Sequence, residues 1–362
     1  MGKLIFFCPF IFDGGLEKTL KIYSDYFSKY YKVVIVTNTN HKSYIKFSNK
    51  IEIINPTNKF FYKNRYLNNI YCVYLIFKHF SSSDKIFSLQ EHLFILMANL
   101  FFFKKFKIII RTSTAIPNKK NEYENKNLNK FKIKKAFNFL FYRVANAIIT
   151  FSNNNRKYLH KVTKKKKIFV IYNYFKINKK ILRKKCKKNF NIFFIGRLVE
   201  DKNPIFLLNS ISKIYKKYKI KVHIVGKGIL QNKIIDIFQK NKNLGCYHGF
   251  INKPFIKFKK TIDIFCVTSK YDGTPNVLGE ALSFGIPTIA PNKVGLSNLI
   301  LKNGCYGYLY KPENSLSFNK QIVKIINNYN LSLKKADNGR VSLKRFNKNK
   351  TLKKLKKIID KI

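Results

Sequence analysis

Residues Ile264–Ala290 read IFCVTSKYDGTPNVLGEALSFGIPTIA. The apolar runs Ile264–Val267 and Pro287–Ala290 predict two short buried strands, and the stretch between them predicts a loop and a helix start. Thr274 followed by Pro275 fits an N-cap and a first helical residue, because proline loses nothing where the amide has no intrahelical partner. The free amides of Asn276, Val277 and Leu278 then point outward at a positive helix end, a ready site for a diphosphate. Glu280 lies about one turn further on, placed to accept hydrogen bonds from ribose hydroxyls, and Asp272 stands in the loop just outside. An acid near any helix start also suits the dipole without a ligand. With only 17 Asp and Glu in 362 residues, however, this D-x7-E pair is pointed.

The same strand-and-helix rhythm extends outward in both directions. Lys3–Pro9, Leu16–Lys29 and Tyr31–Thr37 read as strand, helix, strand, followed by a strand at Lys107–Arg111, a helix near Lys130–Arg143 and a strand at Ala147–Phe151. The second half repeats the pattern with Ile192–Ile195, Ile205–Lys217 and Lys221–Val225. The expected class is α/β, with two Rossmann-like domains: residues 1–178, and residues 188–341. A hinge is expected near Asn173–Lys188, where patterning is weakest. The Lys-rich helix 342–362, with Leu352, Leu355, Ile358 and Ile359 on one stripe, is expected to pack back on the first domain.

Two further strand-to-glycine turns carry charge or room for a ligand. In Phe194-Ile-Gly-Arg-Leu-Val-Glu-Asp-Lys-Asn203, Gly196 allows a tight turn, and Arg197 and Lys202 project from the carboxyl edge of the sheet, where they can neutralise two phosphates. In Ile224-Val-Gly-Lys-Gly228, Gly226 leaves space for a base or ribose. No Asp-x-Asp pair occurs, so no divalent cation is expected against that diphosphate. Near the N-terminus, Asp13-Gly14-Gly15-Leu-Glu17 opens a helix, and its backbone is a candidate wall for an acceptor; a plain strand-to-helix turn explains it equally well. The six cysteines lack any C-x-x-C spacing, so neither disulfides nor a zinc site are expected, and a reducing, cytoplasmic compartment is.

These residues resemble a family, the glycogen-synthase and sucrose-synthase-like group of retaining glycosyltransferases (group 1, family 4), whose GT-B fold sets two Rossmann-like domains facing each other across a cleft. Gly14-Gly15-x-Glu17 is similar to its acceptor-side glycine loop, Ala145–Ser152 to its ADxIIxxS strand with Asn146 for the acid, and Val170–Asn173 to its VIxN stretch. Gly196-Arg197-Leu198 with Lys202-Asn203 is similar to GRLxxxKN, and Asp272-x7-Glu280 to the paired-acid signature. The resemblance implies a metal-independent hexosyltransferase with no cofactor. Its donor is a nucleotide-diphosphate sugar, UDP-linked by the GTPNVLGEA wording, and its acceptor a saccharide or lipid-linked saccharide in polysaccharide or lipopolysaccharide biosynthesis. It makes Asp272, Arg197, Lys202 and Glu280 catalytic, with Arg197 and Lys202 as the diphosphate clamp. Glu280 holds the ribose, and Gly15, Gly196, Gly226, Asn276, Val277 and Leu278 complete donor binding. Gly14, Arg111 and Ser113 lie on the acceptor side. The chain departs from the family at Asp272, where Glu is usual, at Asn298, where an acid is frequent, and at Arg111-Thr112-Ser113, where many relatives carry a His.

The 73 Lys and Arg give a net charge of +56, spread along the whole chain together with abundant Asn, Ile and Phe. These are residues that AT-rich coding favours, so compositional drift is one reading of the charge, and attraction to a polyanion is the sharper one. Leu93–Lys107 and Phe131–Arg143 interleave Phe, Leu and Ile with Lys and Arg, as in helices lying on an anionic membrane surface, and Leu93–Phe103 is too short to span one. Peripheral contact with the cytoplasmic face of an inner membrane is therefore expected, and no nucleic-acid partner. The alternative is a non-catalytic basic protein that binds nucleic acid or membrane.

Overall fold

In the computed structural model, residues 2–11, 15–38, 46–56, 64–103, 106–112, 138–184 and 187–362 are described. They form two units, residues 1–172 with 349–362, and residues 173–348. The boundary thus falls at 172/173, and the chain returns to the first unit at 349, a different partition from 178, 188 and 342.

The first unit carries a seven-stranded parallel sheet. Its strands are β1 (Leu4–Phe10), β2 (Val33–Asn38), β3 (Glu52–Ile54), β4 (Lys85–Ser88), β5 (Lys107–Arg111), β6 (Ala147–Thr150) and β7 (Ile168–Val170), in the order 3-2-1-4-5-6-7. β1 and β2 are buried on both faces, as a parallel sheet covered by helices requires. Pro9 cannot donate to the ladder, and the β1–β2 register slips by one residue between Phe7 and Phe10, so the strand bulges at its carboxyl end. The flanking helices are α1 (Gly15–Phe27), α2 (Arg65–His79), α3 (His92–Phe101) and α4 (Asn153–Thr163). Of the helix expected at Lys130–Arg143, residues 138–142 are helical and those before 138 lie outside the described residues.

The second unit carries a six-stranded parallel sheet: β8 (Phe190–Ile195), β9 (Ile220–Val225), β10 (Gly245–Tyr247), β11 (Ile264–Cys266), β12 (Thr288–Pro291) and β13 (Tyr308–Tyr310). Its order, 10-9-8-11-12-13, is the doubly wound 3-2-1-4-5-6 pattern. Its helices are α5 (Pro204–Ile211), α6 (Gln231–Lys240), α7 (Pro254–Phe258), α8 (Asn276–Ser283), α9 (Ser297–Ile300), α10 (Ser315–Asn327) and α11 (Tyr329–Ser342). α5 stops at Ile211 rather than Lys217, since Ser212–Lys219 turn back to start β9.

The last helix, α12 (Lys348–Asp360), begins later than residue 342 because α11 and a short 3-10 turn, Leu343–Arg345, intervene. Its stripe of Leu352, Leu355, Ile358 and Ile359 is buried with Leu4, Phe6, Val33 and Ile35 of the first unit. Lys85 donates to the Ile359 carbonyl at 2.7 Å and Lys354 to the Val170 carbonyl at 3.1 Å. Burial of the stripe and these two capped carbonyls hold the helix on the first sheet.

Candidate functional site

In the second sheet β8 and β11 are neighbours while their connections run to opposite sides, so their carboxyl ends flank the switch point where open α/β sheets bind ligands. The loop after β8 carries Gly196, Arg197 and Lys202. The loop after β11 carries Ser269, Asp272 and Thr274. They are tied together: Thr268 donates to the Lys202 carbonyl at 2.9 Å, and the Lys270 amide to the Asp201 carbonyl at 2.9 Å. Lys202 Nζ meets Asp272 Oδ2 at 2.5 Å, both half-buried, and Ser269 Oγ reaches the same oxygen at 3.5 Å. Two motifs separated by 70 residues thus become one charged cluster. Arg197 is exposed and has no ion pair or hydrogen bond among the described residues.

α8 starts one residue later than expected. Pro275 is the cap, at φ −72° and ψ 81°, with no side-chain cap bond, and Asn276 is the first helical residue. The expectation of three free amides is corrected accordingly. The Asn276 amide donates to the Thr274 carbonyl at 2.8 Å and the Leu278 amide to the Pro275 carbonyl at 2.9 Å. The Val277 amide has no partner among the described residues. Asn276 Oδ1 accepts from Asn173 at 2.8 Å, and Glu280 lies one turn along the helix, half-buried, its carbonyl accepting from Ser283 Oγ at 2.6 Å.

The glycine turn at Gly226 serves the neighbouring loop first. A Cβ there, at φ +145°, falls 1.8 Å from the Gly196 carbonyl oxygen, so the missing side chain lets the two turns touch. The Leu198 amide donates to the Lys227 carbonyl and the Leu230 amide to the Leu198 carbonyl, both at 3.0 Å.

Three supports were not read from the sequence. Gly295, at φ +55°, backs the Asp272–Gly273 peptide so closely that a Cβ falls 2.6 Å from the Asp272 carbonyl oxygen. Asn298, where the family often has an acid, accepts from the Lys293 amide at 2.8 Å and closes that same turn. The segment from Asn173 to Arg183, expected to be a hinge, is bound along α8. Phe175 packs on Gly279, Asn178 pairs with Ser283 at 2.7 Å, and Arg183 donates to the carbonyls of Lys259, Ile262, Phe284 and Gly285. Only long-range placement reveals these roles; a lone Arg in a Lys-rich stretch carries no local signal.

In the first unit, Gly15 is exposed at the start of α1, whereas Gly14 and Ser113 lie outside the described residues. Arg111 is buried at the carboxyl end of β5, its guanidinium 5.7 Å from the Tyr23 ring centroid. Beside it the sequence reading missed His92, which is buried, 2.7 Å from Ser88 Oγ and against Tyr142. Burial holds its pKa down at about 4 despite a hydrogen bond to the Arg111 backbone, so the ring is neutral at pH 7. Glu17 is buried in the first turn of α1.

Residues 174–342 match the family described as Glycosyl transferases group 1. The match spans nearly the whole of the second unit. Over 199 residues the chain is 31% identical to an uncharacterized glycosyltransferase of Methanocaldococcus jannaschii, covering 48% of this chain and 49% of that one. A second from the same organism is 28% identical, covering 55% of each, so the chain spans about half the length of these curated relatives. Over 96% of the chain and 95% of the relative, it is 22% identical to an alpha-1,4-N-acetyl-D-galactosaminyltransferase of Campylobacter jejuni named for a diphosphoundecaprenol-linked saccharide. The sucrose-phosphate synthase of Thermosynechococcus elongatus superposes at a TM-score of 0.81 and 15% identity, covering 100% of this chain and 99% of that one. The Anabaena protein HepE with UDP-glucose does so at 0.76 and 16%, covering 99% and 100%. The fold is therefore GT-B, and the Lys202–Asp272 pair lies within the matched residues 174–342. The nucleic-acid alternative is not favoured by any of these likenesses.

Proposed function

We propose that the protein is a retaining, metal-independent hexosyltransferase that moves a sugar from a UDP-linked donor to a saccharide or lipid-linked saccharide in the building of a cell-surface polysaccharide. The observation that carries this reading is the joining of Lys202 to Asp272 at the switch point, beside exposed Arg197 and the start of α8. A galactosyltransferase of Escherichia coli, 30% identical over 49% of this chain, is named for UDP-Gal and a diphosphoundecaprenol acceptor, and supports the donor and acceptor class.

Charge accumulates on the leaving diphosphate in the transition state. In this reading Arg197 and Lys202 are the two cations that meet it, and the Val277 amide adds a donor. Lys202 must exchange Asp272 for phosphate, which frees the Asp272 carboxylate for hydroxyls of the transferred sugar. Glu280 takes the ribose. The departing phosphate accepts the acceptor's proton on the same face, which retains the anomeric configuration. The acceptor side is assigned to Gly14, Arg111 and Ser113.

Contact with an anionic membrane belongs to the same reading. Tyr66, Ile70 and Tyr74 form an exposed stripe on α2, and Leu100–Phe103 are exposed at the end of α3, which packs against it. The expected membrane face is thus shifted, since Ile95 and Leu96 of α3 are core. No helix among the described residues is long and apolar enough to cross a membrane. The test is a thermal-shift panel of UDP-, GDP- and ADP-sugars, followed by product analysis with and without added Mg²⁺ or Mn²⁺. Stabilisation by a UDP-sugar, lost in Arg197→Ala and Lys202→Ala, is expected. Silence towards every sugar nucleotide overturns the reading.

A further inference from the structure

At the outer edge of the second sheet, away from the switch point, three ligating side chains converge. In the parallel ladder Cys246 of β10 stands directly opposite His223 of β9, and Phe193 of β8 is next in the same row. Strand alternation puts His248, two residues after Cys246, on the same face. His223 Nδ1 lies 2.9 Å from His248 Nε2, and Cys246 Sγ lies 3.3 Å from each of those nitrogens. A tetrahedral zinc ion, with Zn–N of about 2.0–2.1 Å and Zn–S of about 2.3 Å, holds its nitrogens roughly 3.3 Å apart and its sulfur roughly 3.6 Å from each. The observed triangle is that one contracted by a few tenths of an ångström.

We propose that His223, Cys246 and His248 bind a thiophilic divalent transition-metal ion, zinc foremost, with the fourth position open to water. The cysteine spacing alone pointed away from a zinc site, because two of the three ligands are histidines and one of these, His223, comes from the neighbouring strand.

Two features argue for a site rather than three polar groups on an edge strand. Asn191 Oδ1 lies 3.1 Å from His223 Nε2, so it accepts that N–H and leaves Nδ1 unprotonated and aimed at its partners. The ring orientations are also fixed. His223 stacks on Phe193 at 4.4 Å and 10°, and His248 packs against Phe258 of α7 at 4.9 Å. One thiolate and two imidazoles select zinc or its neighbours over Mg²⁺ or Ca²⁺. On binding, the Cys246 S–H bond breaks, its proton leaves to solvent and the sulfur electron pair forms the metal–sulfur bond. Burial raises the Cys246 thiol above its usual pKa, with Lys221 only partly offsetting this, so the metal must displace that proton, and the charges of Lys221 and Lys257 oppose the dication. The ion would pin β10 to β9 beside the Gly226 turn, whose amide donates to the Gly249 carbonyl at 2.8 Å and whose carbonyl accepts from Tyr247 at 2.8 Å.

The experiment titrates untagged, full-length, chelator-treated protein with Co²⁺ and then displaces it with Zn²⁺. Expected are one equivalent of Co²⁺ with tetrahedral ligand-field bands and a thiolate-to-cobalt charge-transfer band, both erased by stoichiometric Zn²⁺. Cys246→Ser should lose the charge-transfer band, whereas Cys305→Ser, altering the other exposed cysteine among the described residues, should keep it. Asn191→Leu should weaken zinc about 10- to 100-fold, and His223→Asn and His248→Asn more. Melting curves in excess chelator show whether each variant folds. Absence of the charge-transfer band in wild type, or its persistence in folded Cys246→Ser, overturns the proposal. Sugar-nucleotide binding is read separately and bears only on the transferase reading.

Discussion

Lys202 and Asp272 neutralise one another in the ligand-free site, so each role assigned to them begins with breaking a pair. The pair is half-buried and reached by solvent, so it is worth about 0.2–1 kcal/mol. Asp272→Asn should therefore tighten UDP by up to about fivefold, because Lys202 is released, while transfer falls on the order of 10²–10³-fold through loss of the sugar contact. Calorimetry with UDP and initial rates measure the two separately; weaker UDP binding would show that Asp272 positions Lys202 rather than competing for it. His92 gives a second residue-scale test. Burial lowers its folded pKa to about 4 from the usual 6.5, so the neutral ring is favoured by folding. That stability is complete above pH 6.5, where the unfolded chain is also neutral, and is lost as pH falls from 6.5 towards 4, by up to about 3 kcal/mol. His223, also held at about 4, titrates in the same window. His92→Gln should thus flatten, without abolishing, the acid slope of denaturant midpoints recorded in chelator.

Among the elements, most strands were legible because parallel strands buried on both faces read as apolar runs: Ile192–Ile195 and Ile108–Ile110 need no tertiary information, whereas the short β3, β4, β7, β10 and β13 were not legible. The glycine turns were also visible, but not what they touch. Gly226 follows a strand and Gly279 lies inside α8, and neither local sequence shows that the first backs the Gly196 carbonyl and the second the Phe175 ring, since packing between distant segments decides it. Helix ends were read less well. Pro275 became a cap rather than a first residue because the Asn276 amide is already taken by Thr274. The strap along α8 was invisible for the same reason: its apolar anchor is a single Phe175 and its polar anchors are Asn173, Asn178 and Arg183, none of them periodic. It makes a clear prediction. Arg183→Met leaves the carbonyls of Lys259, Phe284 and Gly285 without their donor, at about 1–3 kcal/mol for each that water cannot reach. The variant should melt several degrees lower, and UDP-sugar binding should weaken with it, because the end of α8 that carries Glu280 and Ser283 is no longer held. Lower stability with unchanged donor affinity would confine the strap to a folding role.

For the molecule as a whole, the open matter is whether +56 is recognition or composition, and the surface offers a way to separate them. Charge spread along the chain predicts binding to any anionic vesicle that collapses as salt rises, because exposed charges are screened beyond about 8–10 Å at physiological ionic strength. An apolar face adds a component that salt does not remove. Tyr66, Ile70 and Tyr74 are 63, 54 and 50% exposed, and Phe101, Phe102 and Phe103 are 64, 69 and 88% exposed, on two helices of one unit. A soluble surface has no use for so many adjacent large side chains. Sedimentation with phosphatidylglycerol-containing vesicles should therefore fall with salt to a plateau rather than to zero. Replacing Tyr66, Ile70 and Tyr74 together with Ser should remove that plateau, lowering high-salt partitioning on the order of tenfold, since each side chain would withdraw only part of its apolar area from the interface. The low-salt binding should persist in the triple variant, carried by the lysines. If instead the variant sediments like wild type at every salt concentration, the charge acts alone and the α2–α3 face plays no part in membrane contact.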